Sequence, residues 1–246
     1  MLTKNEERNI VECLQSVRWA KQIILVDAKS TDQTVKLAKR FTKDIFVRPW
    51  DGFGEAKNFA LSKVKNEWVL WLDADERVTD ELRNEIERLV SEKLSPYVAY
   101  DIPRKAIFLG KWIRHCGWYP GRVIRLFRRG YGSFTTSKVH EQLVVRGSIG
   151  HLNGDLLHYT DPNLEHYFQK FNRYTSLAAE ELDDRGRQFH VYDILLRPAW
   201  TFFRMYFLKR GFFDGFQGFV LCVLSSCYVF TKYAKLWELK HTKSRG

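Results

Sequence analysis

Two carboxylates separated by one residue, Asp73 and Asp75, are the side chains with the clearest potential for chemistry. They follow residues 68–72, an apolar run that predicts a buried strand. Hard cations prefer carboxylate oxygens, and Mg²⁺ or Mn²⁺ usually takes one or two carboxylates together with phosphate oxygens. Because acidic residues in loops are usually solvated, this pair alone is a weak signal for a metal site.

The residues around this pair favour a nucleotide site. Asp27 ends a second apolar run, residues 23–26, and three residue types that cap helix N-termini come after it: Ser30, Thr31 and Asp32. Lys57 and Asn58 lie between the two runs. A helix N-terminus, an amide side chain and a lysine near a divalent cation form a suitable site for a nucleoside diphosphate.

Helical patterns alternate with these strands. Apolar residues recur at spacings of three and four over residues 10–17, 34–41 and 82–90, and Thr79 is the expected N-cap of the last stretch. The alternation predicts an α/β fold with a mostly parallel open sheet, flanking helices and a site at the carboxyl edge. Because the first helical pattern begins so close to Met1, we expect the first strand to be truncated to its last residues.

Several motifs, in order, resemble family 2 glycosyltransferases of the GT-A fold. Within residues 3–80 the matching segments are Lys4-Asn5-Glu6-Glu7, Ile24-Leu25-Val26-Asp27, Ser30-Thr31-Asp32-Gln33-Thr34, Ala56-Lys57-Asn58 and Leu72-Asp73-Ala74-Asp75-Glu76. Later segments look like the bacterial lipopolysaccharide-core β-glucosyltransferases: Val139-His140-Glu141, His158-Tyr159-Thr160, Lys170-Phe171-Asn172-Arg173-Tyr174 and Arg210-Gly211-Phe212-Phe213-Asp214-Gly215. The resemblance implies a GT-A-type, Rossmann-like fold and sugar transfer from a nucleotide-sugar.

The resemblance also implies roles in a donor site. Asp27 would bind the uracil or ribose of a UDP-sugar, Asp73 would lie near the ribose and the metal, and Asp75 would hold Mg²⁺ or Mn²⁺ against the diphosphate. The other implied donor-site residues are Asn5, Glu6, Ser30, Asp32, Lys57 and Asn58. Asp75 and Asp73 are the candidate metal ligands, and His158 is a further one, although a packed histidine is the more ordinary interpretation. The chain departs from the family pattern at Ala28-Lys29 and Gln33, which replace small residues and stiffen the turn.

Inverting transfer requires a base on the acceptor side. The acceptor hydroxyl must lose its proton as it attacks the anomeric carbon, and a carboxylate is suited to accept that proton. Glu141, well beyond the Asp73 and Asp75 pair, is the first candidate for the base, and Asp155 is the second.

Aromatic and arginine side chains are concentrated in residues 112–129. Aromatic rings stack on sugar faces, and arginine binds phosphate or carboxylate groups. Trp118, Arg122 and Arg125 are therefore the candidate acceptor-binding residues, for an anionic glycolipid. Similar residues bind single-stranded nucleic acid, but no RNA-binding motif accompanies them, and we expect no nucleic-acid partner.

The C-terminal quarter is strongly basic. The chain has 40 Lys and Arg against 29 Asp and Glu, a net charge of +11. Residues 185–246 contain 11 of the basic residues, only 3 acidic ones and an uncharged run, residues 215–231. We expect a helical membrane-associating segment here, following a catalytic domain in residues 1–184. The alternatives are a helical appendage packed on that domain and, because the run is short for a bilayer, less readily a true span.

The cysteine pattern favours a reducing compartment. The four cysteines are scattered without a CxxC pair, and charged residues near Met1 exclude a signal peptide there. We therefore expect a peripheral protein on the cytoplasmic face of the inner membrane.

These observations predict an inverting, metal-dependent glycosyltransferase. It would move a hexose, with glucose as the first candidate, from a UDP-sugar to a hydroxyl of a membrane glycolipid such as the lipopolysaccharide inner core. Two alternatives stay open: a polyprenyl-phosphate sugar transferase, and a non-catalytic binding protein on a decayed transferase fold.

Overall fold

The computed structural model describes residues 1–50, 52–92, 95–135 and 142–243. Strands β1 to β13 are Leu2–Thr3, Leu25–Asp27, Ile45–Val47, Trp68–Leu70, Glu76–Val78, Ala99–Ile102, Arg104–Phe108, Lys111–Trp112, Val123–Arg128, Gly132–Phe134, Leu143–Val145, Ile149–His151 and Leu156–Asp161. Helices α1 to α7 are Ile10–Ser16, Thr34–Ala38, Phe53–Ser62, Asp80–Glu92, Leu164–Asp184, Val191–Phe203 and Gly215–Lys243. A π-helical turn, Arg204–Leu208, and a 3-10 turn, Gly211–Asp214, connect α6 to α7.

Internal contacts divide the chain into two units. The first comprises Met1–Lys105 and Gly121–Tyr159, and the second comprises Ala106–Pro120 and Thr160–Gly246. The predicted functional boundary between residues 184 and 185 is a different kind of division and stays a prediction.

The first unit begins with a parallel sheet in the order β1-β2-β3. Strand β2 is fully buried, which explains why its sequence is a continuous apolar run. Strand β1 has two residues, as expected, and Leu2 aligns with Val26 on one side and with Asp73 on the other. Because all three segments run parallel, the ends of β2 and of the Asp73 segment meet at one edge.

The remaining strands of the first unit support this edge. A second sheet has the order β12-β6-β9-β4, and Leu82 and Ile86 of α4 are buried in a core with Ile102 and Leu126. The predicted N-cap of α4 is confirmed, because the backbone N–H of Leu82 donates to Oγ1 of Thr79 over 3.3 Å. Strand β13 pairs antiparallel with β5.

A helix not anticipated from the sequence lies between β3 and β4. Gly52 and Gly54 precede Lys57 closely and are weak helix formers, but α3 begins at Phe53, just after Gly52. Gly52 has φ of 111°, a left-handed backbone that favours glycine, and so turns the chain into the helix. Ala56 and Ala60 are buried in a core with Trp71, which stabilises the helix by packing.

The second unit contains three helices, α5 to α7. The uncharged run predicted at residues 215–231 lies in α7, whose 29 residues measure about 44 Å at 1.5 Å per residue. Leu221, Cys222, Tyr233 and Leu236 of this helix are buried. In the part of the chain that the structure describes, one helical stretch, Gly211–His241, is long and apolar enough to cross a membrane. Length and composition alone do not separate a span from a packed core helix.

Candidate active site

Asp27 closes the turn that follows β2. It is fully buried, and its carboxylate accepts hydrogen bonds from Oγ1 of Thr3 (3.1 Å), from the N–H of Ser30 (2.7 Å) and from Oγ of Ser30 (2.5 Å). Lys29 lies in this turn with φ of 56°, a left-handed conformation that costs a non-glycine residue about 1 kcal/mol. The hydrogen bonds of Asp27 therefore hold a strained turn in place.

The predicted donor-site residues near the N-terminus join two loops. The N–H of Asn5 donates to Oγ of Ser30 over 2.8 Å, and the N–H of Thr31 donates to Oδ1 of Asn5 over 2.8 Å. The N–H of Glu6 donates to Oγ1 of Thr34 over 2.7 Å. The structure thus brings Asn5, Glu6 and Ser30 together in one rigid wall at the edge of the sheet.

Asp32 extends the same wall. Its carboxylate accepts hydrogen bonds from the N–H of Glu7 over 3.1 Å and from the N–H of Thr34 over 2.9 Å. Partial burial works against ionisation, but the hydrogen bonds from Thr34 and Glu7 outweigh it and lower the pKa of the Asp32 carboxyl. Asp32 is therefore a loop-fixing anion.

Lys57 and Asn58 have different surroundings, although they are adjacent on α3. Nζ of Lys57 lies 5.3 Å from the ring centre of Trp71 and 5.0 Å from that of Phe134. Asn58 pairs with the backbone of Phe134: Nδ2 donates to the carbonyl over 2.8 Å, and Oδ1 accepts from the N–H over 2.9 Å. Lys57 is thus a buried cation among aromatic rings, and Asn58 fastens α3 to β10.

Asp73 is held by Arg125. Nη2 of Arg125 lies 2.5 Å from Oδ2 of Asp73 and 2.6 Å from Oε1 of Glu76, which is fully buried. Burial opposes ionisation of Asp73, but the charges of Arg125 and Lys57 outweigh it and lower the pKa of this carboxyl to about 2. Burial raises the pKa of the Glu76 carboxyl, and Arg125 only partly offsets that rise. Arg125 therefore fixes the Asp73 turn.

Asp75 lies next to His158, which is the contact that bears most directly on metal binding. His158 stands opposite Glu76 in the β5–β13 pair, and its Nε2 is 3.3 Å from Oδ2 of Asp75. Two ligands that share one Mg²⁺ in octahedral geometry at about 2.1 Å would lie about 3.0 Å apart. Both side chains are about one fifth exposed, so a ligand can reach them from solvent.

The donor set fits a divalent cation in part. Nδ1 of His158 is buried and has no hydrogen-bond partner within the described part of the chain, so no such bond fixes the ring in its present orientation. Within residues 1–50, 52–92, 95–135 and 142–243, no three His, Cys, Asp or Glu side chains form a ready-made metal cluster. Asp75 and His158 would thus supply two ligands, and a diphosphate and water would supply the rest.

The two candidate bases are placed differently. Glu141 lies outside the described residues; its neighbour Gln142 forms hydrogen bonds with Thr135. Asp155 precedes β13, three residues from His158, and its Oδ2 lies 2.6 Å from Nζ of Lys105. Among the described residues, Asp155, Asp75 and His158 do not form one cluster that could hold a metal ion.

The three candidate acceptor residues also have different contacts. Nη1 of Arg122 donates to Oδ1 of Asp101 over 2.6 Å, and Arg125 is occupied by Asp73 and Glu76. Trp118 belongs to the second unit, where it is half-buried and its ring lies 6.2 Å from that of Phe108. Arg125 is only 11% exposed, so its guanidinium is poorly available to an acceptor.

Sequence reasoning missed the pairing of Glu76 with Arg125. A signal was present, because Glu76 and Val78 alternate to the buried face of β5. A carboxylate on a buried face requires a cation, and Arg125 lies in β9. Strands β5 and β9 belong to different sheets, and only tertiary packing brings Glu76 and Arg125 together, so the choice among the many arginines could not be made in advance.

The chain is similar in sequence to known glycosyltransferases. The sequence profile of "Glycosyl transferase family 2" matches residues 1–140. An uncharacterized glycosyltransferase of Rickettsia typhi is 34% identical, covering 100% of this chain and 88% of that protein. A lipopolysaccharide core biosynthesis glycosyltransferase of Rhizobium meliloti is 29% identical, covering 98% of this chain and 92% of that protein.

Solved structures that superpose on this chain include the following two. Glucosyl-3-phosphoglycerate synthase from Mycobacterium tuberculosis superposes with a TM-score of 0.47 at 16% identity, covering 76% of this chain and 79% of that chain. S. aureus TarS 1–349 in complex with UDP-GlcNAc superposes with a TM-score of 0.44 at 13% identity, covering 100% of this chain and 90% of that chain.

Proposed function

The chain belongs to glycosyltransferase family 2, and on that premise we propose that it is an inverting, metal-dependent enzyme that transfers a hexose. Glucose is the first candidate for the hexose, and a UDP-sugar would be the donor. The acceptor would be a hydroxyl of a membrane glycolipid such as the lipopolysaccharide inner core. The similarity to a lipopolysaccharide core biosynthesis glycosyltransferase of Rhizobium meliloti supports this acceptor class. The uracil or ribose would lie along the wall that Asp27 holds in place.

The observation that carries the proposal is the contact of Asp75 with His158 beside the Asp73 turn. These two side chains would hold Mg²⁺ or Mn²⁺ next to the diphosphate. When bound, the cation would offset the negative charge that develops on the departing UDP. Arg125 would keep Asp73 ionised, and Lys57 would add positive charge close to it.

The acceptor side of the reaction would depend on residues other than Asp75 and His158. Glu141 is proposed to take the proton of the acceptor hydroxyl as that oxygen attacks the anomeric carbon. Asp155 is the less favoured base because Lys105 already neutralises it. Trp118 and Arg122 would contribute to acceptor binding, through stacking on a sugar face and contact with an anionic group.

We further propose that the enzyme works as a peripheral protein on the cytoplasmic face of the inner membrane. The basic excess in residues 185–246 supports attraction to anionic lipid. An enzyme held at this surface would meet a lipid-linked acceptor in two dimensions.

The direct test is nucleotide release from a panel of UDP-sugars with Mg²⁺, Mn²⁺ or EDTA. Asp75→Asn and His158→Asn should each lose most of the metal-dependent turnover, because the first removes an anionic ligand and the second alters an imidazole ligand. Asp80→Asn, an exposed acid in the first turn of α4, is the matched control and should retain activity. Retention of half or more of the wild-type rate by Asp75→Asn at limiting metal would contradict the metal assignment.

A further inference from the structure

Helix α6 presents an apolar face to solvent. Six large side chains at helical spacing are each between 45% and 66% exposed: Tyr192, Leu195, Leu196, Trp200, Phe203 and Phe207. Ring contacts join part of this set, with centroid distances of 5.9 Å for Trp200–Phe203 and 5.4 Å for Phe203–Phe207. We call these six residues the α6 face. A surface helix normally turns its polar side outward, so an exposed apolar face indicates a binding surface.

The turn between α6 and α7, together with the first residues of α7, continues the exposure. Phe212, Phe213 and Phe216 are 43%, 62% and 74% exposed. Arg210 has φ of 54° and Gly215 has φ of 64°, and these left-handed residues reverse the chain here. Large aromatic side chains exposed at a turn do not pack in the protein core, so they are suited to insertion into an apolar environment outside the protein.

The longest apolar helix, α7, buries one of its sides within the second unit. Leu221 and Cys222 are buried with Phe108 and Ile113, and Tyr233 and Leu236 are buried with Ala179 of α5. One side of α7 therefore forms the core of the second unit. This packing accounts for the buried side of α7, whereas Phe216, Phe219 and Phe230 on the rest of the helix are exposed.

The charges next to the α6 face are of one sign. Arg204, Lys209 and Arg210 are exposed and make no ion pair within the described part of the chain. The nearby acids, Asp193 and Asp214, are 0% and 2% exposed. Asp193 is neutralised by Arg187 and Arg197, and Asp214 accepts hydrogen bonds from the N–H groups of Arg114 and His115. This part of the surface therefore presents positive charge around an apolar centre.

We propose that the α6 face and the turn after it dock onto the surface of an anionic lipid bilayer, while the side of α7 that carries Leu221, Cys222, Tyr233 and Leu236 stays in the protein core. This inference refines the membrane location given in the proposed function and rests on it only for the choice of membrane. A bilayer surface offers an apolar interior beneath anionic headgroups, which matches aliphatic and aromatic side chains bordered by arginine and lysine.

Two other occupants fit less well. A second copy of the chain would place the unpaired arginines and lysine of both copies near one interface, where like charges repel. Single-stranded nucleic acid binds through stacking on aromatic rings, but Leu195 and Leu196 at the centre of the face offer none.

The test is flotation of the full-length protein with phosphatidylglycerol-containing vesicles and with phosphatidylcholine vesicles, at low and high salt. Leu195→Ser/Leu196→Ser/Trp200→Ser should weaken partitioning by about a hundredfold, because three half-exposed apolar side chains no longer insert. Arg204→Gln/Lys209→Gln/Arg210→Gln should weaken binding to anionic vesicles by about a hundredfold at low salt, and much less at high salt.

Two matched controls remove exposed side chains elsewhere. Val47→Ser/Tyr131→Ser/Val144→Ser lies in the first unit at 46–56% exposure, and Phe230→Ser/Trp237→Ser lies on the outer side of α7 at 45–46% exposure. Both should float like the wild-type chain.

The outcomes separate the possibilities. Loss of flotation in the α7 variant, with retention in the α6 variant, would overturn the proposal in favour of insertion by α7. Unchanged flotation of the α6 variant, together with loss of a dimer by light scattering, would overturn it in favour of a second copy. UDP binding with Mn²⁺ is measured on the same samples. If the wild-type chain floats but does not bind UDP, the proposed function fails while the docking surface stands.

Discussion

Removal of the Arg125 guanidinium should destabilise the first unit because it leaves a buried carboxylate without its partner. Arg125 is 11% exposed and Glu76 is 0% exposed, and their charged atoms are 2.6 Å apart. Loss of one partner from a buried pair costs about 3–5 kcal/mol. Asp73 adds little to this figure because its side chain is 40% exposed and water can replace the lost contact. Arg104 stays 3.9 Å from Glu76, so we expect the lower half of the range.

The measurement is urea unfolding of Arg125→Met, monitored through the fluorescence of the eight tryptophans. The free energy of unfolding should fall by about 3 kcal/mol, equivalent to roughly 6–12 °C in melting temperature for a chain of this size. Arg83→Met is the control, because Arg83 pairs with Glu87 on an exposed helix face and such pairs contribute at most about 0.5 kcal/mol.

The pH dependence and a double variant sharpen this test. In Arg125→Met the buried Glu76 would favour its protonated form further, so the native state would bind more protons than the unfolded state above about pH 4.5. The loss of stability should therefore grow as pH rises from 5 to 8. Glu76→Gln in the same chain removes the buried charge and should restore much of the stability. A loss below about 1 kcal/mol, or a double variant no more stable than Arg125→Met, would refute the reasoning.

Three further predictions concern the site. Glu141→Gln should lower turnover by about 10²–10⁴-fold and leave the Kd for UDP unchanged, as measured by nucleotide release and calorimetry; near-normal turnover would exclude the base role. Lys29→Gly should relieve the left-handed backbone and change the free energy of unfolding by no more than about 1 kcal/mol, whereas Lys29→Val should destabilise the chain, as urea unfolding would show. The depressed pKa of Asp73, about 2 against about 3.9 when unfolded, stabilises the fold above pH 4. That contribution should disappear between pH 4 and pH 2, and acid titration of Asp73→Asn should lack it; identical acid transitions would contradict the assignment.

The elements around the site were predictable where local pattern and burial agree. Strand β2 is a short apolar run that ends in an acid, and α4 has both its cap at Thr79 and its apolar spacing. Such features depend on residues a few positions apart. The alternation of strands and helices likewise predicts that Asp27, Asp73 and Asp75, which follow two apolar strands, lie at the carboxyl edge of the sheet.

Other features depended on contacts between distant residues. Arg125 and Trp118 both belong to an aromatic and arginine-rich stretch, yet one is bound to buried carboxylates and the other packs on Phe108. Strand register and tertiary packing decide that difference, and composition does not record either. Gly52 and Gly54 disfavour a helix before Lys57, yet burial of Ala56 and Ala60 against Trp71 stabilises one.

The two hydrogen bonds between Asn58 and the backbone of Phe134 have a mechanical consequence. Helix α3 carries Lys57, the cation proposed to act near the donor phosphates, and Phe134 ends the strand that leads toward Glu141. The amide of Asn58 therefore ties α3 to β10, the strand that precedes the proposed base along the chain. A displacement of α3 on nucleotide binding would be transmitted to Phe134 through these two hydrogen bonds.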